Sequence, residues 1–213
     1  SSLEGYNSYS EINPFPIEPG GTNGTSVVFV KSNMECEING VQYPTLGDAL
    51  EVVQTGETIK LLKDIIHTDP ISVSGKVIKF DLGDYDLLLD TSAEDSFDYA
   101  LTVEGSGKIN LIGTGQFNVK GSFHGINILG AGSEATVHNV EITGGGNCIR
   151  MYGSGSDLDG GKITVNGDIS AENGTGVSVN AKKSEVIVGG NIRAGNLGVN
   201  IAANPNTVVT VEG

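Results

Sequence analysis

The segment Gly167–Val179 returns, with small changes, as Gly190–Ile201, so that Ile169 is matched by Ile192 and Val177 by Val199. A period of about 22–23 residues is the signature of a solenoid in which each repeat is one coil that buries its apolar face only by stacking on its neighbours. Around the repeat the chain reads as short alternating runs punctuated by Gly and Asn, as strands and turns do. Three strand types recur. Phe117–Val119, Val140–Ile142, Ile169–Ala171 and Ile192–Ala194 make one, and Ile126–Ile128, Ile149–Met151, Val177–Val179 and Val199–Ile201 the next. The third is Ile109–Leu111, Ile163–Val165, Val186–Val188 and Val209–Val211, with Thr136–His138 as a weaker member. Alternate residues point inward, so each type builds an aliphatic column through the stack. The early runs, Ile59–Ile65, Ile71–Ser74, Val77–Leu82 and Tyr85–Leu89, are harder to register.

The expected fold is therefore all-β, a single-stranded parallel β-helix. Residues 57–213, at about 22 per coil, allow about seven coils and a rod of roughly 30–35 Å at sheet spacing. The 32 glycines lack collagen's three-residue period and serve turns. Longer loops are expected at Asp90–Asp98 and Gly153–Gly161, on a face where insertions often mark binding.

Ahead of the coils, residues 1–26 carry Ser, Asn, Gly and Pro without apolar periodicity and read as a flexible arm or linker. Residues 27–56 read as a strand at Val27–Val30, a hairpin over Glu35–Tyr43 turning on Asn39-Gly40, and a helix. Leu46, Ala49, Leu50 and Val53 fall at i, i+3, i+4 and i+7 on one stripe, with Thr45 and Asp48 as a capping pair and Gly56 beyond the end. The helix is expected to cap the first coil. The last coil shows no such cap, so the β-helix is expected to be truncated at its C-terminal end or to associate through that uncapped coil. Cys36 and Cys148 permit one disulfide but fall in different coils.

The 26 acidic and 12 basic residues, a formal net charge of −14, repel phosphate backbones and make nucleic acid an unsuitable partner. No apolar run reaches the roughly 18–20 residues of a membrane span.

The stretch Ile38–Leu50, followed by Thr55–Asp64, resembles the N-terminal cap and first coil of the pectin-lyase-like superfamily. More narrowly it is similar to β-helix modules of surface proteins from gut-type Gram-positive bacteria, in which Tyr-x-Thr-Leu-x-x-Ala-Leu leads to Gly-x-Thr-Ile-x-Leu. The resemblance covers residues 38–213 and implies a right-handed β-helix in a secreted or cell-surface, extracellular setting. The superfamily spans lyases, hydrolases and adhesins, so function must be argued from the site.

In the hydrolase branch an acidic pair precedes a Cys-Ile strand and a Gly-His-Gly follows one coil later. Here Gly145, Gly146 and Asn147 stand before Cys148, and Phe123-His124-Gly125 comes one coil early, with Phe in place of the first Gly. A lyase needs a cation, usually Ca²⁺, and a basic residue to take a proton. Arg150, Asp157 and Asp159 are the candidates for that chemistry. Asp81, Asp84, Asp86 and Asp90 form an acidic run that reads better as turn residues than as a Ca²⁺ site. His67, His124 and His138 lack metal-ligand spacing. Asn23 and Asn173 head glycosylation sequons. Tyr152 is the sole Tyr or Phe beyond Phe123, so no aromatic sugar platform is expected on the later coils.

The expected function is a non-catalytic adhesive or spacer module touching a glycan or surface-protein ligand, without cofactor or metal. Its contacts would come from outward Asn127, Arg150, Ser178, Arg193 and Asn200. The alternative is a polysaccharide lyase or glycoside hydrolase with a non-standard site at Arg150, Asp157 and Asp159.

Overall fold

The computed structural model describes residues 33–93, 98–153, 159–202 and 206–213. The expected arm, the strand at Val27–Val30, Asn23, Asp157 and the middle of each long loop, residues 94–97 and 154–158, lie outside the described residues.

The chain opens with a hairpin of β1 (Cys36–Ile38) and β2 (Val41–Tyr43). Asn39 (φ 51°) and Gly40 (φ 82°) hold the left-handed pair that a type I′ turn requires. Helix α1 (Leu46–Val52) follows, with Thr45 as N-cap; its hydroxyl accepts from Asp48 N–H at 3.1 Å and donates to the Asp48 carboxylate at 2.6 Å. Leu46, Ala49 and Val53 are fully buried and join the main core.

Six complete coils come next. They comprise β3 (Thr58–Leu61), β4 (Ile65–His67), β5 (Ile71–Ser74); β6 (Val77–Gly83), β7 (Leu87–Thr91), β8 (Tyr99–Glu104); β9 (Lys108–Gly113), β10 (Phe117–Gly121), β11 (His124–Leu129); β12 (Glu134–Val137), β13 (Val140–Ile142), β14 (Asn147–Tyr152); β15 (Lys162–Val165), β16 (Ile169–Ala171), β17 (Thr175–Asn180); and β18 (Glu185–Val188), β19 (Ile192–Ala194), β20 (Val199–Ile201). A single strand, β21 (Val208–Val211), begins the next turn. The first, second and third strands of successive coils pair in parallel, giving three sheets that run the length of the stack, with the β1–β2 hairpin added antiparallel to the first.

The count is six coils, against an expected seven, because the coils are unequal. In the first sheet Thr58 stands beside Lys79, Val77 beside Lys108, Lys108 beside Glu134, Glu134 beside Lys162, Lys162 beside Glu185 and Glu185 beside Val208. The first coil takes the least chain and the second the most. Only the last two repeat at the spacing that separates Ile169 from Ile192. The extra chain goes into turns, which leave the columns intact.

The third-sheet column is as expected, with Ile126, Ile149, Val177 and Val199 in register. Two alignments differ. In the second sheet Val140 pairs with Val119, not Phe117, a shift of two positions that keeps every side chain on its own face. In the first sheet, Ala135 and Val137 are the buried residues of β12, so the expected Thr136–His138 alignment is off by one and would have turned the wrong face inward. The early run Ile59–Ile65 is two strands, β3 and β4, with a corner between them.

The core is almost wholly aliphatic, with Phe80 and Phe117 as its large buried rings, 5.6 Å apart and tilted by 57°. Cys36 and Cys148 are both buried and free, so the structure contains no bridge between them; burial pushes each thiol up to about 12, which removes thiolate chemistry.

In-register stacking brings side chains at equivalent positions about 4.8 Å apart, so like charges would repel. Charges therefore alternate. Lys108, Glu134, Lys162 and Glu185 follow one another on the outside of the first sheet, with ion pairs of 2.6 and 3.0 Å. Residues just before the second-sheet strands add a polar ladder: each side chain accepts a backbone N–H from the next coil. Asp64 accepts from Asp86 (2.9 Å), Asp86 from Gln116 (2.7 Å), Asn139 from Asp168 (2.9 Å) and Asp168 from Asn191 (2.7 Å).

The two ends differ. At the first coil α1 packs against β1, β2 and β4. At the sixth, Leu197, Val199 and Ile201 are exposed, as are Val208 and Val211 of β21. This is the coil where the sequence reading places association. No helix among the described residues is long and apolar enough to cross a membrane.

Candidate functional site

Outward residues of the third sheet form three columns. One runs Tyr99, His124, Asn147; a second runs Ser72, Thr102, Asn127, Arg150, Ser178, Asn200; a third runs Glu104, Leu129, Tyr152, Asn180. Four of the five expected contact residues, Asn127, Arg150, Ser178 and Asn200, thus share one column. Arg193 does not. It lies on the second sheet, its guanidinium 3.1 Å from Asp168, and braces the polar ladder.

Aromatic side chains gather where the first and third columns flank Arg150. Tyr99 and His124 are register partners, and their rings stack with centroids 4.5 Å apart and planes 14° from parallel. Phe123 meets His124 edge-on at 4.8 Å. Arg150 reaches back two coils to donate from Nη1 to the Tyr99 hydroxyl, while its guanidinium carbon lies 4.0 Å from the centre of the Tyr152 ring. Arg150 and Tyr152 alternate along one strand, which is why both point outward. The later coils carry no Tyr or Phe beyond Tyr152, as the sequence reading has it; Tyr99, Phe123, His124 and Tyr152, scattered along the sequence, meet on coils two to four.

Glycine makes the approach feasible. A Cβ on Gly146 would lie 2.1 Å from the Phe123 carbonyl oxygen and 2.6 Å from His124 Nδ1. Without one, Asn147 N–H donates to His124 Nδ1 at 3.1 Å. That bond places the proton of the neutral ring on Nε2 and makes this nitrogen a donor. Burial, and then the Arg150 charge, hold the His124 pKa below its ordinary 6.5. For Arg150, burial opposes the charge, but hydrogen bonds to the Tyr99 and Tyr152 hydroxyls outweigh it, and its pKa is raised.

The proposed catalytic trio fares differently. Asp159 forms an isolated bridge with Lys182, and its carboxylate accepts from Lys183 at 2.7 Å. Asp157 is outside the described residues. Each member of the Asp81, Asp84, Asp86 and Asp90 run accepts a turn or ladder hydrogen bond, from Gly83 N–H, Thr114 Oγ1, Gln116 N–H and Ser92 respectively. Among the described residues no group of three or more His, Cys, Asp or Glu is arranged to hold a metal. Asn173 donates to the Thr143 carbonyl at 2.9 Å and ties neighbouring coils together.

The histidines make stability depend on pH. His138 Nδ1 accepts from Phe117 N–H at 2.9 Å, and burial holds the pKa of His67, His124 and His138 below 6.5. The unfolded chain then binds more protons than the folded one between the lowered values and 6.5. Stability is full above about pH 6.5 and falls as the pH drops toward the lowered values. Urea midpoints at pH 7.5, 6 and 5 are expected to decline, and His124→Gln with His138→Gln is expected to flatten the decline; an unchanged slope would refute the assignment. Carboxylate losses at Asp90 and Asp168, whose pKa values are depressed below 3.8, belong to a lower window.

No family model, curated protein or solved structure matches this chain.

Proposed function

We propose that this chain is a non-catalytic β-solenoid module, exported or displayed at a cell surface, that binds saccharide ligands on the outer face of its third sheet and serves as an adhesive or spacer domain. The observation that carries the reading is the meeting of the Tyr99–His124 stack with the Arg150–Tyr152 pair on a regular strand face, beside the polar column of Asn127, Ser178 and Asn200. Aromatic side chains supply apolar contact with a polar rim, and hydroxyl, amide and guanidinium groups supply directed hydrogen bonds, the combination that saccharides need. A rigid stack presents these groups without ordering a loop on binding.

The likeness of residues 38–64 to the pectin-lyase-like cap supports a surface setting, with α1 as the cap of the first coil. The acidic charge of the chain is in keeping with it. A non-catalytic role is supported by Asp159, whose carboxylate is occupied by Lys183.

A saccharide panel, scored for binding and for cleavage products with and without Ca²⁺, tests the proposal. Binding without products is expected, and Tyr152→Ala is expected to weaken it about threefold to tenfold. Reducing ends or unsaturated uronates would overturn the non-catalytic reading in favour of the lyase or hydrolase.

A further inference from the structure

The chain has 12 basic residues against 26 acidic ones, and most of the described cations have an acidic partner. Lys108, Lys162 and Lys183 lie within 3.0 Å of a carboxylate. Of the two arginines, Arg193 pairs with Asp168. Arg150, like Lys76, Lys79 and Lys182, has no such partner among the described residues. It is held by tyrosines, through a hydroxyl on one side and a ring face on the other.

Tyrosine contacts orient a guanidinium without neutralising it. Five N–H donors leave several free once the Tyr99 hydroxyl is served, and these are the groups that bind oxyanions most strongly. His124 adds a neutral Nε2–H beside them, since its Nδ1 is occupied by Asn147. Among the described residues the site is thus an assembly of donors without an acceptor of matching charge.

We propose that this face takes a saccharide carrying one isolated oxyanion, a sulfate ester or a carboxylate, seated on the Arg150 guanidinium. The inference rests on the saccharide-binding reading and adds the charge of the ligand. One anion fits and a row of them does not. Glu104 is outward on the same sheet, two coils below Tyr152 in one column, and the whole chain carries −14. A polymer charged on every ring would gain one contact at Arg150 and meet like charge elsewhere.

The test is titration calorimetry of the full chain with matched sets built on lactose, N-acetyllactosamine and galactobiose. Each set has a neutral, a monosulfated and a monocarboxylated member, and polygalacturonate serves as the densely charged probe. A singly charged member is expected to bind roughly tenfold or more tightly than its neutral parent, with the preference shrinking in high salt. The sulfate and carboxylate arms identify the source of the anion. Arg150→Gln is expected to lower the affinity for charged members far more than for neutral ones, bringing the two to parity, with the melting temperature in place. Tyr99→Phe keeps the ring stack but frees the guanidinium, and is expected to reduce the preference without abolishing it. Equal affinity for charged and neutral members, or polygalacturonate binding above every singly charged probe, would overturn this inference and leave saccharide binding standing. No binding in any set would remove both.

Discussion

Ile126→Asp is expected to cost about 4–5 kcal/mol at pH 7, a large share of the about 5–15 kcal/mol by which a domain is typically stable. Ile126 has no exposed surface and stands in its column between Leu101 and Ile149. An aspartate there has only aliphatic neighbours above and below and no cation to pair with, so its charged form is strongly disfavoured. The sign of the pH effect follows. Burial raises the folded-state pKa of the introduced carboxyl above the unfolded value of about 3.9. Its charge penalty is absent below that value and grows as the pH rises toward the folded one, so the gap between variant and parent narrows on acidification.

Ile126→Asn, which cannot titrate, is the control and should show a gap that does not change with pH. Val199 occupies the same column at the open end and is 39% exposed; Val199→Asp is expected to cost far less. Denaturant midpoints for the four proteins at pH 7 and pH 4.5 decide the matter. Equal losses at positions 126 and 199 would mean that the column is not the core.

Phe117→Ala follows, with an expected loss of about 3–5 kcal/mol. The ring is fully buried and 5.6 Å from Phe80. Truncation removes its transfer energy, leaves a cavity between two sheets whose backbones are tied at every coil, and breaks an aromatic pair worth about 0.5–1.5 kcal/mol. Phe117→Leu retains most of the volume and should cost less than half as much. A loss below about 1 kcal/mol for the alanine variant would show that the coils collapse around the gap. The Phe117 N–H donates to His138 in either variant, so the effect reports packing and not the hydrogen bond.

Alternation of apolar residues and one recurring segment were enough to reveal the solenoid, its third-sheet column, the Asn39-Gly40 hairpin and the capped helix at Thr45, because each is encoded by residues close in sequence. Local rules carry that much: which face a strand buries, where a turn needs a left-handed residue, and how a helix starts. The coil count, the register at Ala135 and Val137, the alternating charges and the polar ladder depend on how much chain each turn consumes. The first coil brings Thr58 to Lys79 and the longer second brings Val77 to Lys108, an inequality that no fixed period can express. Of the candidate site, the column of Asn127, Arg150, Ser178 and Asn200 was legible in the sequence, but not the aromatic cluster around Arg150. There Tyr99 and His124 are distant in sequence, on earlier coils, and become neighbours because parallel coils stack equivalent positions about 4.8 Å apart. Sequence determines what each strand buries; the stacking of unequal coils decides which exposed side chains meet.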